Sequence, residues 1–155
     1  MEKEFSMVNK TKGRIPNLPF SLIKDDILGK KYSLSLAFVE EKESRTINKK
    51  YRGKDKPTNI LSFPFYKNEG EIIICPSVVK REAKNFDRTY AQFLGFLVIH
   101  GMLHLKGMEH SSKIKQEKME RAEKKYDQKY FGRHRCGFLQ DESRGGRISK
   151  GRKNS

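Results

Sequence analysis

"TYAQFLGFLVIHGMLHLKGMEH", residues 89–110, is apolar on nearly every side as far as Leu105. A helix without a polar face persists only when protein surrounds it, so this segment belongs at the centre of a domain. Its longest apolar run, residues 93–105, falls short of the roughly 20 residues that a membrane span needs, and histidine interrupts it. His100 and His104 stand four apart, about 6 Å along a helix axis and on one face, where they form a two-toothed clamp. Three residues on, Gly107 can take a positive φ and turn the chain back, which brings His110 to a third corner. Three neutral imidazoles around an open fourth position are the donor set of a catalytic zinc site, whereas structural sites close all four positions.

The spacing, histidine at 0, +4 and +10 with glycine at +7, is that of the metzincin proteases. Gly101 stands where those enzymes carry their general-base glutamate, so a peptidase reading lacks its base. Glycine there leaves room for a large group, such as a nucleotide, to approach the metal. Glu109, beside the third histidine, is a candidate base or hydrogen-bond acceptor for an imidazole N–H.

Working outward, residues 20–31 read as a short helix with Phe20, Leu22, Ile23, Ile27 and Leu28 on one side and Gly29 as its stop. YSLSLAFV, residues 32–39, alternates as a half-buried strand. EEKESRTINKKYRGKD, residues 40–55, reads as an exposed helix with Ile47 and Tyr51 facing inward, closed by Gly53. NILSFPF, residues 59–65, is a strand that Pro64 confines to a sheet edge. Ile72, Ile73 and Ile74 then form a continuous apolar strand, expected to be covered on both faces. A helix over about 77–86 precedes the central one. Residues 113–131 make a last, charged helix with Ile114, Met119, Ala122 and Tyr126 available to dock. The fold expected is α+β: a mixed, small central β-sheet of about four strands packed with helices, the metal-binding helix at its centre in a zincin-like arrangement.

The 155 residues suffice for one domain, expected over 1–131. Residues 132–155 carry seven Lys or Arg against two acids and few apolar residues, the composition of a disordered basic tail. A net charge of +15 attracts nucleic acid, anionic membrane or acidic protein. Cys75 and Cys136 imply no disulfide framework, and with no apolar leader at the N-terminus a reducing, cytoplasmic setting is expected.

HGMLHLKGMEH, residues 100–110, resembles the H-G-x-L-H-L-x-G-x-D-H signature of the YbeY family, metal-dependent bacterial endoribonucleases of ribosomal RNA maturation. INKKYRGKDKPTNILSFPF, residues 47–65, is similar to that family's second block, and GEIII at 70–74 to its G-D-I strand. The resemblance covers about residues 30–125. Asn59, Glu71 and Glu109 stand where the family has Asp, and only Asn59 loses a carboxylate.

Carried over, the resemblance implies one divalent metal ion, most often zinc, on His100, His104 and His110. Catalytic roles fall to His100 and to Arg52, whose guanidinium can pair with a phosphate and stabilise charge developing on it. Ser62 and Phe63 are expected to wall the cleft facing the metal and contact substrate. The expected function is cleavage of single-stranded ribosomal RNA, in 16S rRNA 3′-end maturation and ribosome quality control, with small ribosomal subunit proteins as candidate partners and neither membrane nor DNA. A non-catalytic ribosome-binding factor and a metallopeptidase are the rival readings.

Overall fold

A computed structural model describes residues 4–132. The expected tail, Gly132 aside, and Cys136 within it lie outside the described residues. Of the described residues, 4–123 make up one compact unit, which holds the site, and 124–132 belong to a second.

The elements run β1 (Phe5–Asn9), α1 (Phe20–Leu28), β2 (Ser33–Phe38), α2 (Glu41–Arg52), β3 (Ile60–Tyr66), β4 (Glu69–Ile74), α3 (Pro76–Ala83), a 3-10 turn (Lys84–Phe86), α4 (Tyr90–Leu105) and α5 (Lys113–Phe131). The fold is α+β, with a four-stranded mixed sheet in the order β1-β2-β4-β3. β1 and β4 run parallel to β2, and β3 runs antiparallel to β4 with an irregularity between Pro64 and Tyr66. Pro64 thus sits on an edge strand, where its missing N–H costs no ladder bond.

α4 is the centre of the unit. It packs on α1, α3, β3 and β4, and Leu94, Val98, Ile99 and Met102 on it are fully enclosed along with Leu36, Ile72 and Ile74 of the sheet. Its start is fixed by a capping box: Thr89 Oγ1 accepts from the Gln92 N–H at 3.1 Å, and Gln92 Oε1 accepts from the Thr89 N–H at 3.0 Å. Its end is a Schellman turn, in which the Gly107 N–H donates to the His104 carbonyl and the Met108 N–H to the Leu103 carbonyl, both at 3.0 Å. Gly107 takes φ +110° to allow it.

Several expectations are corrected. β1, absent from the pattern reading, is bound to β2 by backbone pairing while its side chains stay largely outside. β4 buries Gly70, Ile72 and Ile74 but leaves Ile73 half-buried, so one face is closed rather than two. On α1, Lys24 takes the inward place assigned to Leu22, which is 64% exposed; the Lys24 ammonium is satisfied by the Lys30 carbonyl and Asp25, each at 3.1 Å. On α2 the buried residues are Ser44 and Asn48, with Ile47 half-buried beside them, while Tyr51 is 60% exposed. On α5, Ile114 is exposed.

Candidate metal centre

α4 delivers His100 and His104 from one face, and the turn after Gly107 returns His110 to them. One nitrogen from each ring lies within 4.8 Å of the others, a group able to hold a metal ion. His104 Nδ1 lies 3.1 Å from the Met108 carbonyl oxygen, which can only accept. His100 Nδ1 meets the carboxylate of Glu123, on α5, in a short hydrogen bond. Both Nδ1 atoms are therefore the donors, and in the neutral rings both Nε2 atoms carry lone pairs. Those two Nε2 atoms face each other at 3.0 Å. Two lone pairs at that separation repel unless positive charge lies between them, so the donor set fits a cation. Burial, and secondarily the neighbouring His100, hold the His104 pKa below the ordinary imidazole value, which keeps the ring in the neutral form that ligates metal.

Nothing in the sequence pattern singles out Glu123. It is buried, and it supplies the carboxylate of a carboxylate–histidine pair that fixes ring orientation and tautomer. Glu109, the residue expected in that role, lies at the surface with Lys115 3.9 Å away. Its carboxyl is held below the usual range, first by a hydrogen bond from Ser111 and then by Lys115.

Gly101 does not open the metal to a ligand. A Cβ there would come within 2.9 Å of Ile60 Cδ1, 3.0 Å of Ser62 Oγ and 3.2 Å of Ile72 Cδ1. Glycine at 101 lets α4 lie close against β3 and β4. Ser62 faces α4, its hydroxyl 3.4 Å from the Gly101 carbonyl. Phe63, the next residue on the strand, points to the other face and meets the Tyr51 ring edge-on at 5.1 Å. The pair expected to share one wall is therefore divided between two faces.

Arg52 ends α2 with its side chain exposed. The loop from Gly53 to β3 is bolted to α2 by two buried polar residues. Ser44 Oγ both donates to the Thr58 carbonyl and accepts from the Thr58 N–H, each at 3.0 Å, and Asn48 Nδ2 donates to the Lys56 carbonyl at 2.8 Å. Asn59 donates to Glu82 of α3 at 2.8 Å, an interaction that a carboxylate at 59 would turn into repulsion.

Residues 8–130 match the family model described as Endoribonuclease YbeY. The chain belongs to the YbeY family. Membership places it among hydrolases. It is similar to the Endoribonuclease YbeY of Thermotoga maritima, 36% identical over 74% of this chain and 78% of that protein. The Cupriavidus necator YbeY is 40% identical over 59% of this chain and 48% of its own length, and the Chelativorans YbeY 40% over 59% and 62%. Against these latter two YbeY proteins the chain thus spans less than two thirds of the relative. Among solved structures, the solution structure of TM1509 from Thermotoga maritima superposes with a TM-score of 0.61 at 28% identity, over 92% of this chain and 99% of that one.

Proposed function

We propose that this chain is a divalent-metal-dependent endoribonuclease acting on single-stranded RNA, with His100, His104 and His110 as the ligands of a zinc ion and Arg52 as the phosphate-contacting residue. The observation that carries the reading is the pair of Nε2 lone pairs facing each other at 3.0 Å beside a third imidazole, on a chain whose relatives are named endoribonucleases. A divalent ion on those rings supplies Lewis acidity for attack on a phosphodiester. The protein does the rest. Glu123 and the Met108 carbonyl hold two rings in the ligating tautomer. The Arg52 guanidinium pairs with phosphate oxygens and offsets the charge that builds on them. Ser62, on the face toward α4, is the strand residue assigned to substrate; Phe63, engaged with Tyr51, is not.

Ribosomal RNA at the 16S 3′ end is the substrate that the family resemblance supports, with small ribosomal subunit proteins as partners in the cytoplasm. The charge of +15 suits a polyanion of that size. Among the described residues, no helix is long and apolar enough to cross a membrane.

Ribonuclease assays on the wild type, Arg52→Ala and His110→Ala, run with metal analysis of each preparation, test the reading. Arg52→Ala should keep its metal and lose most cleavage, and His110→Ala should lose both. Cleavage undiminished in both variants would assign the activity to a contaminant. Products ending in 2′,3′-cyclic phosphate would identify the ribose 2′-OH as nucleophile, and products with 3′-hydroxyl and 5′-phosphate ends would identify water.

A further inference from the structure

KKYRGKDK, residues 49–56, places five cations and one acid around Tyr51, and that acid, Asp55, is already held by Arg45 at 2.7 Å. Tyr51 follows the half-buried Ile47 by one helical turn, yet its own side chain is 60% exposed. The half-buried Phe63 ring meets it edge-on at 5.1 Å, so the Tyr51 ring is supported on one side and largely open on the rest. Phe65 and Tyr66, 52% and 76% exposed, follow on the same strand. The backbone beneath the ring is fixed. Gly53, at φ +71°, ends α2 by donating its N–H to the Lys49 carbonyl at 3.1 Å, and Asn48 and Ser44 tie Lys56 and Thr58 back to the helix.

A positioned aromatic ring next to exposed cations gives the bases and the backbone of a single-stranded nucleic acid a partner each. Arg52, the next residue, is exposed. The Lys50 ammonium lies 5.3 Å from the Tyr51 centroid, on an exposed side chain that an incoming base can displace toward a phosphate. The edge strand β3 relates this face to the metal centre. Ser62, one residue before Phe63, turns the other way, its hydroxyl 3.4 Å from the carbonyl of Gly101, the residue after His100. β3 stands at the end of the sheet order, so its free edge is the rim between the face of Tyr51 and the face of α4.

We infer that the exposed Tyr51 ring is a stacking platform for one unpaired base of the RNA, beside the phosphate that Arg52 holds, with Phe63 supporting the ring rather than touching the substrate. The inference rests on the ribonuclease reading and deepens it. Tyr51 becomes a determinant of the choice of single strands over duplex, because a base stacked within a duplex has no free face to offer the ring.

The chain contains no tryptophan, so Tyr51→Trp puts a single indole on the platform, and quenching of its emission reports a stacked base. Zinc-loaded protein is titrated on ice with three probes: a single strand of about 12 nucleotides, a strand of abasic spacers with the same number of phosphates, and a duplex of the same sequence. The base-bearing single strand should quench strongly and the other two weakly. Leu22→Trp, at an exposed position on α1, should be quenched little by any of them. Fluorescence anisotropy across a salt series completes the test. Tyr51→Ala should bind the single strand about tenfold more weakly with the log–log salt slope unchanged, and bind duplex as the wild type does, whereas Tyr51→Phe should match the wild type on both. Arg52→Ala should instead lower the slope by about 0.7, the signature of a lost phosphate contact. Quenching of Tyr51→Trp as large with the abasic strand as with the base-bearing one would overturn the platform while leaving the ribonuclease reading intact. So would a Tyr51→Ala protein that loses single strand and duplex equally. A wild type that binds no RNA removes both this inference and the reading beneath it.

Discussion

Glu123 reaches His100 from α5, and its buried carboxylate has a specific consequence. Glu123→Gln keeps the size but replaces an anion with a neutral amide, so the imidazole loses both basicity and a fixed tautomer. Zinc affinity, measured by competition with a chromophoric chelator, should fall about 10- to 100-fold with the fold retained. An unchanged affinity would show that Glu123 only fills space. Gly101 makes the opposite kind of prediction. If it were the position of a missing peptidase base, Gly101→Glu would restore peptide hydrolysis. Packed against Ile60, Ser62 and Ile72, the new carboxylate should instead destabilise the protein by about 3 kcal/mol, read as a lower melting temperature with casein left uncut. The histidines are legible in the sequence because their spacing coincides with the helical repeat and a helix-ending glycine. Glu123 is not, as one acid in the charged segment KIKQEKMERAEKKYDQKYF stands out only once Met119, one turn before it, is seen to be buried on the same stripe.

Elements are legible where burial imposes a period. α4 is all apolar and β2 alternates, and both lie where the pattern puts them. β1 escapes notice because an edge strand held by backbone bonds needs no apolar face. α2 is recognisable as a helix, and Ile47 and Tyr51 do share a stripe with its anchors, but those anchors are polar: Ser44 and Asn48 are enclosed because they satisfy loop backbone groups, which hydropathy does not register. Ser44→Ala leaves the Thr58 N–H and carbonyl without that partner, and should cost about 1–3 kcal/mol in denaturant unfolding, whereas Thr46→Ala, on the exposed side, should be near neutral. A second tie joins α2 to α3, where Glu41 accepts from Ser77 at 2.5 Å and Arg81 at 3.2 Å. These bonds, Ser77's first, hold the Glu41 carboxyl below its ordinary value. Its folded pKa being depressed, its contribution is complete above the unfolded value of about 4.5 and disappears as pH falls through the folded one. The group is exposed, so that contribution is below about 1 kcal/mol. Melting curves between about pH 6 and pH 3 should show Glu41→Gln losing less stability on acidification than the wild type.

At the scale of the whole molecule, a strongly basic chain carries one partly buried imidazole cluster. The charge of +15 brings polyanions to any part of the surface; what would turn binding into cleavage is a cation held where three rings converge. Charge is legible from composition, and the cluster from spacing. The central claim is tested most directly by elemental analysis of protein loaded with zinc and then freed of loose metal, for the wild type and for His100→Ala, His104→Ala and His110→Ala, with circular dichroism to show that each is folded. The account predicts close to one tightly held zinc per wild-type chain and a large loss in every variant. A folded wild type that retains no metal, or three variants that retain it as well as the wild type does, would contradict it.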